Sequence, residues 1–190
     1  MVDYKVCKFG GSSLATADRI ASVADVILSD PSRRIIVVSA FGKVDSEDAK
    51  VTDTLIQLSR GYVQTSVVHG DHLRALKERL ERMASQLEIS TEFVTTQMHD
   101  LEGKITGTPT TDPKQHEDAV KSWGEYTSAK LMALFLTDKK GANCTYIDPR
   151  QLFVLDGHFG DAVILPKSDE LIRKTLSELD GVAIVPGFYG

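Results

Sequence analysis

The sequence predicts an α/β fold built around a parallel β-sheet, and three observations support this prediction. An alternating strand, an amphipathic helix and a β-branched run follow one another within residues 2–40. The run at residues 34–40 lacks polar alternation, which is typical of a strand covered on both faces. A second apolar run at residues 182–185 follows another amphipathic helix, so helices and strands alternate again near the end.

Composition limits the function classes. The chain has 190 residues, 42% of them hydrophobic, which is enough for the core of one domain or of a large piece of one. It has 22 Lys and Arg against 27 Asp and Glu, and no basic stripe interleaved with aromatic residues, so nucleic acid is a poor candidate partner. No apolar run approaches the ~18 residues of a membrane span, and no signal peptide is visible. We therefore expect a cytoplasmic protein without membrane contact.

The first strand leads into residues 8–13, KFGGSS. Val2, Tyr4 and Val6 alternate with polar positions, and two glycines then open a turn before hydroxyl residues that can cap a helix. A strand, a glycine turn and a helix N-terminus together present N–H groups to an anion, most simply a phosphate. The alternative is an ordinary turn with the lysine in solvent. Neither GxxxxGK[ST] nor GxGxxG is matched.

The next helix, with apolar positions from Ile20 to Leu28, stops at residues 30–31 before the β-branched strand. A right-handed crossover places the C-terminal ends of both strands at one edge of the sheet. Gly10, Gly11 and Ser39 should therefore face one crevice, where open α/β sheets bind ligands.

An acidic loop at residues 42–48 is either a mobile surface segment or a lid. It leads to a helix with Leu55 and Leu58 inward, for which Thr52 or Asp53 is a possible N-cap.

Two further amphipathic helices, at residues 70–86 and from Ser90 to about residue 105, predict a helical hairpin that serves as scaffold. The charged residues of the first, Arg79 included, are expected in solvent. His69 and His72 have metal-ligand spacing but no third ligand nearby, so no metal site is predicted. Residues 107–113 contain two prolines and form a break.

Residues 122–131, SWGEYTSAKL, begin another predicted helix. Ser122 and Glu125 have the spacing of a capping box, which is one interpretation of this segment. A short strand at residues 142–147, a helix at residues 171–179 and the strand at residues 182–185 follow, and the chain ends in PGFYG. Cys7 and Cys144 lack disulfide or CxxC patterns, and both are expected to be small buried hydrophobic residues.

Four of these segments resemble motifs of aspartokinases in the amino acid kinase family, most like those of low-GC Gram-positive bacteria. KFGGSS resembles KFGG[ST]S, SAFGK with the later TD resembles VSAxGK…TD, SWGE resembles [ST]xGE…S, and PGFYG resembles PGF[IF]G. Ser12 replaces the commoner threonine, the inserted loop splits the second motif, and Tyr126 with Thr127 departs from the usual hydrophobic-Ser pair.

The resemblance implies a three-layer α/β/α sandwich with a mostly parallel sheet, as in the amino acid kinase and carbamate kinase-like fold. It implies ATP- and Mg²⁺-dependent phosphorylation of L-aspartate to 4-phospho-L-aspartate, the first step toward lysine, threonine and methionine. A homo-oligomer is expected.

The resemblance also assigns roles to single residues. The expected catalytic residues are Lys8, which would neutralise charge on the transferring phosphoryl group, and Gly10 and Gly11, whose amides would hold its oxygens. The phosphate-binding positions are Lys8, Gly10, Gly11, Ser12 and Ser13. The substrate-binding positions are Ser39 and Thr52, which would contact aspartate, and Glu125, which would pair with its ammonium group.

On this interpretation residues 1–190 form the N-terminal, amino-acid-substrate lobe, with a helical insertion at about residues 68–106. The nucleotide lobe and the ACT regulatory domains are expected to be absent, so the chain alone should be inactive. The strand at residues 182–185 should then be an unpaired edge that promotes self-association. Two alternatives remain: a non-catalytic module that binds an amino acid or anion, and another amino acid kinase, such as a glutamate 5-kinase-like or uridylate kinase-like enzyme.

Overall fold

The computed structural model describes residues 4–46 and 48–189. Within them, four parallel strands form one sheet in the order β1-β2-β4-β3. The strands are β1 (Lys5–Phe9), β2 (Arg33–Val38), β3 (Cys144–Tyr146) and β4 (Val182–Pro186). The helices are α1 (Ala17–Leu28), α2 (Val51–Thr65), α3 (Gly70–Gln86), α4 (Thr91–Gly107), α5 (Pro113–Leu134) and α6 (Ser168–Ser177). The predicted α/β class and parallel sheet are confirmed. Val2 and Glu47, which belong to the predicted first strand and acidic loop, lie outside the described residues.

The two faces of the sheet are covered unequally. Paired residues of parallel strands share a face, and the row with Ile36 and Ile184 joins the large core beneath α1 and α5. The opposite face, with Ala183 and Val185, packs on a small cluster that includes Ile172 of α6. Helices therefore lie on both sides of the sheet, which gives three layers.

The strand expected to be an open edge is not one. Strand β4 pairs with β2 on one side and with β3 on the other, so the edges are β1 and β3. The prediction was wrong because the short strand at residues 144–146 fills the position that the sequence argument left empty. Val6, at 65% exposure, instead lies on the edge strand β1.

The helical hairpin α3–α4 packs beside α5, and Leu76, Leu80, Leu101 and Ile105 are buried in the main core. Both cysteines are half-buried and pack against that core. Burial raises the pKa of the Cys144 thiol to about 12, which suits an inert residue. In the described part of the chain, no helix is long and apolar enough to cross a membrane.

Candidate functional site

The loops after β1 and β2 meet at the C-terminal edge of the sheet, as expected for two neighbouring parallel strands. Phe9 is paired with Val38, so the next residues of both strands emerge side by side. The Ser39 amide donates to the Phe9 carbonyl at 3.1 Å, and the Gly42 amide donates to the Gly11 carbonyl at 2.8 Å. Two segments some thirty residues apart in sequence thus form one crevice wall.

Close approach explains the glycines at positions 11 and 42. A Cβ at Gly11 would lie 2.7 Å from the Ala40 carbonyl oxygen, and one at Gly42 would lie 2.4 Å from the Gly11 carbonyl carbon. Neither residue has a positive φ, so packing rather than a sharp turn requires glycine here. Gly10 differs, because no atom lies within 4 Å of its Cβ position. That open side leaves room for a ligand to approach the backbone.

Lys8, Ser12 and Ser13 lie within three residues of this open position in the sequence. Lys8 is exposed on β1, while Ser12 and Ser13 lie in a short 3₁₀ turn, Gly11–Leu14. Their side chains form no hydrogen bond or ion pair among residues 4–46 and 48–189. The long helix begins only afterwards, at residue 17, where Thr16 accepts a hydrogen bond from the Arg19 amide. The site therefore offers a flexible cation and two hydroxyl groups beside an open backbone.

Both capping interpretations are wrong. Helix α5 begins at Pro113, where Asp112 accepts hydrogen bonds from the amides of residues 114 and 115. Ser122 and Glu125 lie inside that helix and cannot form a capping box. The N-cap of α2 is Lys50, so Thr52 lies within the first helical turn. The predicted start of α5 was nine residues too late, because the first turns of the helix are polar and show no apolar stripe.

Helix α5 presents three successive residues to three different surroundings. Trp123 is buried, and its indole N–H donates to the Gln97 carbonyl in α4 at 2.7 Å. Gly124 faces the loop after β2, and a Cβ there would lie 2.9 Å from the Cβ of Ala40. The carboxyl group of Glu125 then bonds to the Ala40 amide in the same loop.

A side chain further along α5 holds the helix against that loop. The Ser128 hydroxyl donates a hydrogen bond to the Ser39 carbonyl at 2.7 Å.

Glu125 has an unusual environment for a carboxylate. Its Oε2 atom is buried and has no hydrogen-bond partner among the described residues. Burial raises the pKa of its carboxyl group, while a hydrogen bond from the Ala40 amide and the charges of Lys121 and Lys8 oppose the shift. A buried oxygen without a partner is costly, so a cationic ligand would stabilise the ionised form.

Thr52 lies in the first turn of α2, next to a residue that contacts α5, and the structure shows no direct contact between Thr52 and Glu125. Its neighbour Val51 approaches Gly124, with 3.5 Å between Val51 Cγ1 and the position of a Cβ on the glycine. The Thr52 side chain is half-buried and has no hydrogen-bond partner in the described part of the chain. The structure thus gathers the predicted residues along one edge of the sheet.

A cavity of about 440 Å³ adjoins this edge on the face of the sheet that carries Lys8. Its lining includes Val37, Lys121, Val185 and Phe188. The sequence analysis missed Lys121, whose ammonium group lies 4.4 Å from the Phe188 ring centre.

Lys121 is held by a buried carboxylate that the sequence analysis also missed. Asp118 contacts its ammonium group at 2.8 Å and accepts a hydrogen bond from the Gly160 amide at 2.6 Å. The signal was available, because residues 118, 121 and 125 share one helical face. The shared face was missed because the helix was predicted to begin at residue 122, after Asp118 and Lys121.

Metal ligands are not gathered in the described residues, where no group of three His, Cys, Asp or Glu side chains could hold an ion. The rings of His69 and His72 lie edge to face, 6.1 Å apart.

Comparison with known proteins assigns the chain to a family. Residues 3–190 match the profile of the Amino acid kinase family. The chain is 38% identical to aspartokinase 3 of Bacillus subtilis over 98% of its length, and 30% identical to the chloroplastic aspartokinase 2 of Arabidopsis thaliana over 97%. It spans 40% and 35% of those two relatives.

Solved structures agree on the fold. An aspartate kinase from Clostridium acetobutylicum superposes with a TM-score of 0.80 at 29% identity, covering 97% of this chain and 39% of that one. Aspartokinase III of E. coli, in complex with aspartate and ADP, gives 0.78 at 23% identity over 96% of this chain and 40% of its own.

Proposed function

Because this chain belongs to the amino acid kinase family, we propose that it forms the amino-acid-binding part of an aspartate kinase. One observation carries the proposal: the buried Glu125 Oε2 has no hydrogen-bond partner among the described residues, and its carboxyl group bonds to the Ala40 amide in the loop that packs on Gly11. A carboxylate for an ammonium group and an anion site for a phosphoryl group are what phosphorylation of an amino acid requires. The relatives named aspartokinase make aspartate the acceptor of choice.

The phosphoryl side of the site consists of Lys8 and the backbone at Gly10 and Gly11. Phosphoryl transfer depends mainly on positioning and on stabilising the charge that develops on the transferred group. The positive Lys8 ammonium group neutralises that negative charge, and the amides of the glycines bind the equatorial oxygens. Ser12 and Ser13 add hydroxyl donors at the same loop.

The acceptor side consists of Glu125, Ser39 and Thr52. Glu125 pairs with the ammonium group of aspartate and so satisfies its own buried oxygen. Ser39 and Thr52 contact the rest of the substrate. No general base is needed, since a β-carboxylate with a pKa of ~3.9 is already ionised at pH 7.

ATP and Mg²⁺ complete the proposal. The residues described here fit the terminal phosphate of a nucleotide, but they do not provide a carboxylate cluster for Mg²⁺. We propose that nucleotide and metal are bound mainly by other parts of a longer protein, since the chain spans about 40% of the relatives it matches. On this layout, residues 68–106 are an insertion, and the chain alone is inactive because ATP and aspartate are not held in line.

The test is substrate dependence in a full-length protein that carries this chain. ADP release is measured with aspartate, with glutamate and with UMP as acceptors. Aspartate-dependent turnover is expected, with little turnover from the other two. Equal turnover with glutamate or UMP would assign the site to another member of the family, and tight aspartate binding without any turnover would favour a non-catalytic binding module.

A further inference from the structure

Arg79 of α3 is buried although the sequence pattern places it among solvated charges. The residue is only 8% exposed. Its guanidinium group donates to the Asp48 carboxylate at 2.9 Å and to the carbonyls of Ala49 and Ala15 at 3.3 and 3.4 Å, and it also bonds to the Gly42 carbonyl. One side chain from the helical hairpin therefore reaches both loops of the candidate site.

The acceptors of Arg79 lie where the two loops are anchored. Ala15 directly follows the short turn that carries Ser12 and Ser13. Gly42 is the residue whose amide bonds to Gly11. An arginine fork has several donors in a fixed plane, so it sets the distance between its acceptors as well as binding them.

The acidic loop is fastened by the same contact. Asp48 accepts a hydrogen bond from the Val44 amide at 2.9 Å and also holds the Arg79 guanidinium group. The loop therefore closes on itself and on α3, which disfavours the lid interpretation.

Stability alone does not account for an arginine here. Burial lowers the pKa of its guanidinium group, which reports the cost of desolvation, and Asp48 opposes the shift. Buried ionic groups of this kind often add little net stability compared with apolar residues of similar volume. The geometry of the acceptors offers a better reason.

We propose that Arg79 is a positioning residue that fixes the spacing between the phosphate loop at Gly10 and Gly11 and the substrate loop at Ser39 to Gly42. The helical hairpin is then a working part of the site and not only scaffold. The catalytic effect of Arg79 rests on the proposed function. The structural role of Arg79, which is to hold the two loops at a fixed spacing, does not rest on it. The two can therefore be tested separately.

The structural test uses the chain itself. Amide hydrogen exchange is followed by NMR in the wild type, in Arg79→Lys and Arg79→Met, and in Arg82→Met as a control. Arg82 is an exposed arginine on the same helix. The Gly42 amide should exchange at least about tenfold faster in Arg79→Met, while the amide of Val37 in β2 keeps its rate. Arg79→Lys should fall between. Equal acceleration at both amides, or none at Gly42, would overturn the proposal.

The catalytic test uses the full-length enzyme. Arg79→Met, which lacks the guanidinium group, should lower kcat/KM for aspartate by about 100-fold, the scale expected when a site is misplaced by about 1 Å. The loss should lie mainly in kcat, Arg79→Lys should recover part of it, and Arg82→Met should behave as the wild type. Wild-type kinetics in Arg79→Met would overturn the positioning role even if exchange were faster. A wild-type enzyme without aspartate-dependent turnover would refute the proposed function and leave the exchange result standing.

Discussion

The Gly42 amide donates a hydrogen bond to the Gly11 carbonyl at 2.8 Å, and this contact joins the two halves of the candidate site. Gly11 belongs to the loop that offers an anion site, and Gly42 to the loop that carries Ser39. Because each glycine leaves no room for a side chain at the other, the distance between the halves is set by backbone packing. The site geometry should therefore respond sharply to one added methyl group.

Gly42→Ala should destabilise the chain by about 3 kcal/mol, at the upper end of the usual overpacking cost, because backbone atoms cannot yield to the new Cβ. Gly10→Ala is the matched control, since that Cβ meets nothing within 4 Å and Gly10 has a φ of −75°. Urea denaturation measures both. Equal stabilities for the two variants would contradict the packing argument.

Gly124→Ala should also be destabilising, by about 1–3 kcal/mol. The added methyl group would lie 2.9 Å from the Ala40 Cβ and 3.2 Å from Leu55 Cδ1, so α5 must move away from the loop after β2. Gly103→Ala in α4 is the control, because its Cβ position is open and alanine favours a helix by about 1 kcal/mol. The melting temperature should therefore fall in Gly124→Ala and rise in Gly103→Ala. A shift in the same direction for both variants would be inconsistent with close docking at Gly124.

Glu125 should make stability depend on pH in a definite direction. Its folded-state pKa lies above the ordinary value of 4.5, so the folded chain binds more protons than the unfolded chain between the two values. Its contribution to the free energy of unfolding therefore falls as pH rises from about 4.5 through the folded pKa. Glu125→Gln removes this effect and should be at least as stable as the wild type at pH 7.

Urea titrations between pH 4.5 and 8 measure the difference between the two proteins. The advantage of Glu125→Gln over the wild type should grow with pH. In the full-length enzyme, Glu125→Gln should weaken aspartate binding. A large loss of stability with unchanged aspartate affinity would show that Glu125 is only structural.

Self-association stays a prediction, now based on β1 instead of β4. An exposed apolar side chain on an edge strand invites pairing with another chain, and Val6 is such a residue. Sedimentation of the chain should show concentration-dependent association that Val6→Lys abolishes. Val67→Lys, which changes a loop valine of similar exposure, should leave the association unchanged. A monomer at all concentrations would end this prediction.

The sequence predicts those parts of the fold that local pattern controls. The helix at residues 70–86 was predicted with the bounds that the structure has, because its apolar spacing is regular and a glycine opens it. The meeting of Gly10, Gly11 and Ser39 followed from the parallel pairing of the two strands that one crossover connects. Both predictions use short stretches of chain and one general rule.

Tertiary contacts escaped the sequence analysis. Arg79 looks like its solvated neighbours, and only the loops folded over α3 show that it is buried. The position of β4 between β2 and β3 depends on a three-residue strand whose pairing no local pattern reveals. Ser122 and Glu125 have capping-box spacing, yet a proline and Asp112 had already started the helix.

The most direct test of the central claim is an NMR titration of the chain with inorganic phosphate and then with L-aspartate. Phosphate should shift the amides of Gly10, Gly11 and Ser12, and Lys8→Met should remove these shifts while Lys5→Met keeps them. Aspartate should then shift amides around Glu125 in the wild type but not in Glu125→Gln. If saturating phosphate moved none of the three loop amides, or moved them equally in Lys8→Met, the edge of the sheet would not be the proposed anion site.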